Sequence, residues 1–242
     1  MLLGLLSVDQ NQLRSTISHH DLNEPKFYWI TRNIEFTQWE SANDSRALFL
    51  SAPPGHGVTE VCLHVMSLAK ENSSQTKGSV LHFFCSSATE SRPSTVLTHT
   101  LLHQIVCSAN AGKADSIAAA FLNSLLGAHF RLHKQDFKED DPLDTTMRKI
   151  LNAPDNVLIE ALAEAIKQAG FQELMIVVDG LWGDIAHWLV KYIMQATPKL
   201  KALLTSRQNI DGKIPDEMQF IEYDKERQGL HIRYFLAYIL AN

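Results

Sequence analysis

The sequence predicts an α/β fold: a doubly wound, mostly parallel five-stranded sheet with helices on both faces. Three observations point there. Short apolar runs alternate with helix-length amphipathic segments along 242 residues. The run Leu174-Met175-Ile176-Val177-Val178-Asp179 is apolar up to its last residue, as a strand buried on both faces is. From Leu48 to Met66 an apolar run passes through Pro53-Pro54-Gly55-His56-Gly57 into an amphipathic segment, which reads as strand, tight loop and helix.

Taken in order, residues 1–24 read as an amphipathic helix running into a polar turn at 19–25. Phe27-Tyr28-Trp29-Ile30, with Ile34, Phe36 and Trp39, predict a short helical segment packed on the main domain. Strands are expected at 47–51, 80–85, 174–179, 201–207 and 219–223. Helices are expected at 59–70, 94–109, 116–130, 156–169, 185–195 and 225–240. In the second of these, Val96, Leu97, Leu101, Leu102, Ile105 and Val106 form the apolar face. Gly170 stops the helix before it and Pro198 breaks the one ending at 195. Residues 71–78 read as a polar turn and 138–142 as part of a solvated loop. The organisation that follows is a helical lead-in over 1–45 and one main domain over 46–242.

Composition narrows the function. A formal net charge of −5 and the lack of any Lys/Arg run argue against a nucleic-acid partner. Cys62, Cys85 and Cys107 are scattered among apolar residues and read as buried thiols of a reducing compartment rather than a disulfide or zinc set. No apolar run approaches the ~18–20 residues of a membrane span, and Met1 to Leu6 is too short for a secretory leader. The expectation is a cytoplasmic protein without a membrane partner. His129 and His133 have i, i+4 spacing but no third ligand, and read as solvated.

Ligands of doubly wound sheets sit at the carboxyl ends of the strands. The loop at 52–59, Asp179 and Arg207 all follow such ends and can share one crevice. Ala52-Pro53-Pro54-Gly55-His56-Gly57-Val58-Thr59 fits the phosphate-loop pattern Ala/Gly-x-x-x-x-Gly-Lys-Ser/Thr at Ala52, Gly57 and Thr59, with valine in the lysine position. A glycine-rich turn entering a helix aims backbone N–H groups and the positive end of the dipole at one point, and this needs no lysine. His56 either touches phosphate or is exposed. Thr59 and Asp179 are the candidate Mg²⁺ ligands, and Arg207 is the candidate sensor of a γ-phosphate. The plain alternatives are an ordinary strand-to-helix turn, a helix N-cap at Asp179 and a surface residue at Arg207.

Without the lysine, binding weakens by roughly 1.5–3 kcal/mol, on the order of ten- to a hundredfold. Hydrolysis suffers more, because phosphoryl transfer depends on stabilising developing charge. A water-activating acid is also expected just beyond Asp179. Gly180, Leu181, Trp182 and Gly183 follow instead, and Asp184 serves only if the turn is rearranged.

With these segments placed, the chain resembles the NACHT class of STAND P-loop NTPases, especially those of fungal NOD-like receptors. The aromatic lead-in, the loop at 52–59, Val80-Leu81-His82-Phe83-Phe84-Cys85, Leu101-Leu102-His103-Gln104, Asp179-Gly180-Leu181 and Leu204-Thr205-Ser206-Arg207 carry the resemblance in order and spacing. It implies an ASCE/STAND-type sheet, ATP or GTP with Mg²⁺ as cofactor, protein partners or self-association, and a role in intracellular signalling. Val58, Trp182 and Gly183 depart from the family where its chemistry lies. The helical and winged-helix parts of such switches are not found after the last predicted helix, so a fragment or a stand-alone remnant is expected. Three readings follow: a degenerate nucleotide-responsive or scaffolding module with weak or no hydrolysis; an active NTPase using a basic residue from elsewhere; and a nucleotide-free interaction domain.

Overall fold

The computed structural model describes residues 30, 32–53, 57–76, 79–85, 93–109, 112–132, 153–181, 183–206 and 218–222. The predicted helices at 1–24 and 225–240 and the loop at 138–142 lie outside them.

The first described helix, α1 (Ile34–Ser41), opens on Asn33, whose side chain accepts from the N–H groups of Glu35 and Phe36 at 2.9 and 3.2 Å. It is followed by β1 (Arg46–Ser51), α2 (Val58–Thr76), β2 (Ser79–Phe84), α3 (Pro93–Ser108), α4 (Ala114–Leu132), α5 (Asp155–Ala169), β3 (Glu173–Asp179), α6 (Gly183–Ile193), β4 (Lys199–Ser206) and β5 (Met218–Glu222). The five strands form one sheet in the order β2-β3-β4-β1-β5, and every pairing is parallel. The predicted fold class therefore holds.

The pleat of the strands sorts their side chains onto two cores. Ala47, Phe49, Ile176, Val178, Ala202 and Leu204 face the layer built from α3 to α6. The intervening Leu48, Leu50, Val177 and Leu203 face α1 and α2. Of the aromatic lead-in, Ile30, Phe36 and Trp39 are buried in this second core, Ile34 is exposed rather than packed, and Phe27, Tyr28 and Trp29 lie outside the described residues. The Trp39 indole donates to the Arg46 carbonyl at 3.3 Å, and the Lys201 ammonium donates to the Glu40 carbonyl at 2.6 Å.

Three expectations need correction. Helix α2 does not end at residue 70 but runs to Thr76. Its apolar stripe fades before that point, yet no glycine or proline interrupts the chain until Gly78. Helix α6 ends at Ile193 rather than residue 195, because the Ala196 N–H turns back to the Ile193 carbonyl at 2.8 Å. Cys107 is exposed, whereas Cys62 is buried and Cys85 half-buried. In α3 the buried stripe is Leu97, Leu101 and Ile105, and position 107 lies about 200° round the helix from 105. Gly170 stops α5 as predicted, in the left-handed conformation (φ 70°) with its N–H bonded to the Ile166 and Lys167 carbonyls.

Strand β2 forms one edge of the sheet. On its outer side the Gln104 side chain occupies the place of a neighbouring strand. Its oxygen accepts from the His82 N–H at 2.9 Å, and its amide donates to the His82 carbonyl at 2.7 Å. Among the described residues no helix is long and apolar enough to cross a membrane.

Candidate functional site

The carboxyl ends of the parallel strands open on one side of the sheet, and the first turn of α2 enters there from the loop after β1. Alternation decides which side chains meet it. Met175 and Val177 belong to the core facing α2, so Asp179, two residues on, points to the same face. In β4, Leu203 faces α2, and so does Thr205. The register pairs Val178 with Leu204, which brings Asp179 and Thr205 side by side one step further along.

Asp179 is 2% exposed. Its Oδ2 accepts from the Thr59 hydroxyl at 2.7 Å, and its Oδ1 accepts from the Thr205 hydroxyl at 2.6 Å. Hydrogen bonds to an ionised acceptor are the stronger kind. Cys62, one helical turn beyond Thr59, completes the group. Burial pushes its thiol well above the ordinary range and the Asp179 charge adds to this, while a hydrogen bond with Thr205 opposes it. This thiol is therefore protonated and unreactive at neutral pH.

The turn leaving β3 is held by the same threonine. The Gly180 N–H donates to the Thr205 hydroxyl at 3.0 Å, and the Leu181 N–H to the Thr205 carbonyl at 2.6 Å. Gly180 has φ 80°, a backbone conformation costly for a residue with a Cβ. A small residue directly after Asp179 thus has a steric reason.

The remaining sequence candidates fall as follows. Ala52 is buried, with its N–H bonded to the Ser206 carbonyl at 3.2 Å, and Pro53 is exposed. Gly57 has φ 77° and its carbonyl receives the Val61 N–H at 3.0 Å, closing the first turn of α2. Val58 is 8% exposed, in the core shared with Trp39, Leu50 and Val61. Asp184 is exposed in the first turn of α6, where a carboxylate suits the helix dipole. Pro54, Gly55, His56 and Arg207 lie outside the described residues, as do Trp182 and His133.

The donor set suits a hard cation. One hydroxyl and one buried carboxylate converge beside a helix N-terminus, and no cluster of three His, Cys, Asp or Glu competes for a softer metal among the described residues. Mg²⁺ is held by one or two carboxylates together with substrate phosphates, so Thr59 and Asp179 fit it. Sequence reasoning missed Thr205. Its signal was available: it lies at the end of an apolar strand, on the same face as Leu203.

The parallel order and the entry of α2 beside Asp179 define an α/β domain with a P-loop NTPase-like fold, and its likeness to known proteins relates it to NACHT domains. The chain belongs to the family described as Nephrocystin 3, N-terminal, which matches residues 26–207. It is also 30% identical over 90 residues to Vegetative incompatibility protein HET-E-1 of Podospora anserina. That stretch covers 33% of this chain and 6% of that protein.

Proposed function

We propose that the chain is a degenerate NACHT-like module of intracellular signalling. It is nucleotide-responsive or scaffolding, with weak or no NTP hydrolysis. One observation carries this reading: Val58, in the position of the phosphate-loop lysine, is built into the apolar core, while Thr59 beside it still meets Asp179. An aliphatic side chain facing inward supplies no charge to a phosphate. The hydroxyl and carboxylate that suit Mg²⁺ persist beside it.

In this reading residues 52–59 cradle the phosphates of ATP or GTP, with Arg207 reaching them from the end of β4. Thr59 and Asp179 hold Mg²⁺, which supplies compensating charge there when bound. Asp184 is the candidate acid. Residues 1–45 form a lead-in to the nucleotide-type domain at 46–242. Protein partners or self-association in the cytoplasm transmit the output, as the partial likeness to an incompatibility protein suggests.

Isothermal titration of the full chain with ATP, GTP and their diphosphates in Mg²⁺, alongside phosphate release, tests the reading. We expect weak binding and turnover far below ~1 s⁻¹, an ordinary enzymatic rate. Turnover above that refutes it in favour of an active NTPase with a substitute basic residue. A second reading, a nucleotide-free interaction domain, draws on the two hydroxyl donors that already serve Asp179 within the protein. Chromatography of whatever a freshly purified, denatured sample releases separates the two.

A further inference from the structure

Thr205 belongs to no part of the phosphate-loop pattern, yet it touches three consecutive residues of the turn that carries the carboxylate. Its hydroxyl donates to Asp179 Oδ1 at 2.6 Å and accepts from the Gly180 N–H at 3.0 Å. Its carbonyl accepts from the Leu181 N–H at 2.6 Å. It is fully buried. Gly180, at φ 80°, leaves this turn many alternative shapes, because a glycine visits both halves of backbone space. The threonine selects one of them. With Oδ1 engaged, the carboxylate cannot rotate freely, and Oδ2 is the oxygen aimed at the Thr59 hydroxyl, 2.7 Å away.

We propose that Thr205 is a positioning residue of the cation site, aiming Asp179 Oδ2 at the point beside Thr59 where the Mg²⁺ of a Mg²⁺–nucleotide is held. The inference rests on the reading of residues 52–59 as a nucleotide cradle. It adds that the quality of the site is set from β4, the strand inserted between those of the loop and the carboxylate. Valine at 205 matches the shape of threonine but removes the donor to Asp179 and the acceptor for Gly180. Serine keeps both.

The test is titration of ATP into the full chain, once with Mg²⁺ and once with EDTA, for the wild type, Thr205→Val and Thr205→Ser. The readout is the ratio of the two affinities. Thr205→Val should shrink the Mg²⁺-dependent gain by about ten- to a hundredfold, the equivalent of one hydrogen bond to a charged group. Affinity in EDTA should stay close to that of the wild type, and Thr205→Ser should restore most of the gain. Equal weakening in both conditions, or a gain that Thr205→Val keeps, overturns the proposal and leaves the cradle reading intact. A wild type that binds ATP in neither condition refutes the cradle reading, and this inference with it. If Thr205→Val does not fold, Thr205→Ala makes the same measurement. Failure of both to fold would assign the hydroxyl to folding alone and overturn the proposal.

Discussion

Thr59 and Asp179 are 120 residues apart in the chain and joined by a 2.7 Å hydrogen bond from the threonine hydroxyl to the carboxylate. This bond ties the first turn of α2 to the end of β3 across the intervening β4. Thr59→Val leaves the buried carboxylate short of one donor. It should lower folding stability by about 1.5–3 kcal/mol, whereas Thr59→Ser should cost much less. Urea unfolding monitored by circular dichroism reads the difference. Equal midpoints for the valine variant and the wild type would show that the bond carries no stability.

Val58 gives the opposite trade. Burying a valine stabilises a fold by roughly 1.5–3 kcal/mol. Lysine at this position must either bury its stem and lead its charge out to water or displace its neighbours. Val58→Lys should therefore lower the urea midpoint. It should also tighten ATP binding by about ten- to a hundredfold, the effect of restoring one charge-assisted contact to phosphate. Unchanged affinity would indicate a basic group already in place.

The Gln104 amide makes two hydrogen bonds to the backbone of His82 on the open edge of β2. Gln104→Met keeps much of the length and removes both. A stability loss of about 1–3 kcal/mol is expected at this half-buried position. The freed edge should also favour strand pairing between molecules. Light scattering across a concentration series, set beside the unfolding midpoint, checks both effects.

His99 is buried in α3, and its Nε2 has no hydrogen-bond partner among the described residues. Burial holds its pKa below the ordinary 6.5. Between the folded and unfolded values the unfolded chain therefore binds more protons, so stability rises with pH across that window. The contribution is fully present above about pH 6.5 and is lost as the pH falls towards the folded value. The unfolding midpoint at pH 5.5 should lie below that at pH 7.5, and His99→Leu should shrink this difference. An unchanged difference would place the pH sensitivity elsewhere.

Much of the fold is legible in the sequence, for reasons specific to each element. Leu174 to Asp179 reads as a buried strand because no polar residue interrupts it, and Gly170 marks the end of α5 because only a left-handed cap follows there. The strand before the Pro/Gly-rich segment and the helix after it were legible from the apolar run ending at Ser51 and the amphipathic pattern from Thr59. The end of α2 was not, because the polar residues after Lys70 are compatible with either an exposed helix or a turn. The exposure of Cys107 was missed because its apolar neighbours in sequence lie on another side of the helix.

The sequence by itself determined the elements, their alternation, and the residue types at the strand ends, since these depend on local periodicity and on turn chemistry. Only the tertiary structure decided that β4 lies between β3 and β1, and so which residues Asp179 meets. Strand order is set by long-range packing of two hydrophobic faces, and no local pattern encodes it. That placement makes Thr205, 26 residues from Asp179, its hydrogen-bond partner, and it turns Val58 from a missing charge into part of the core.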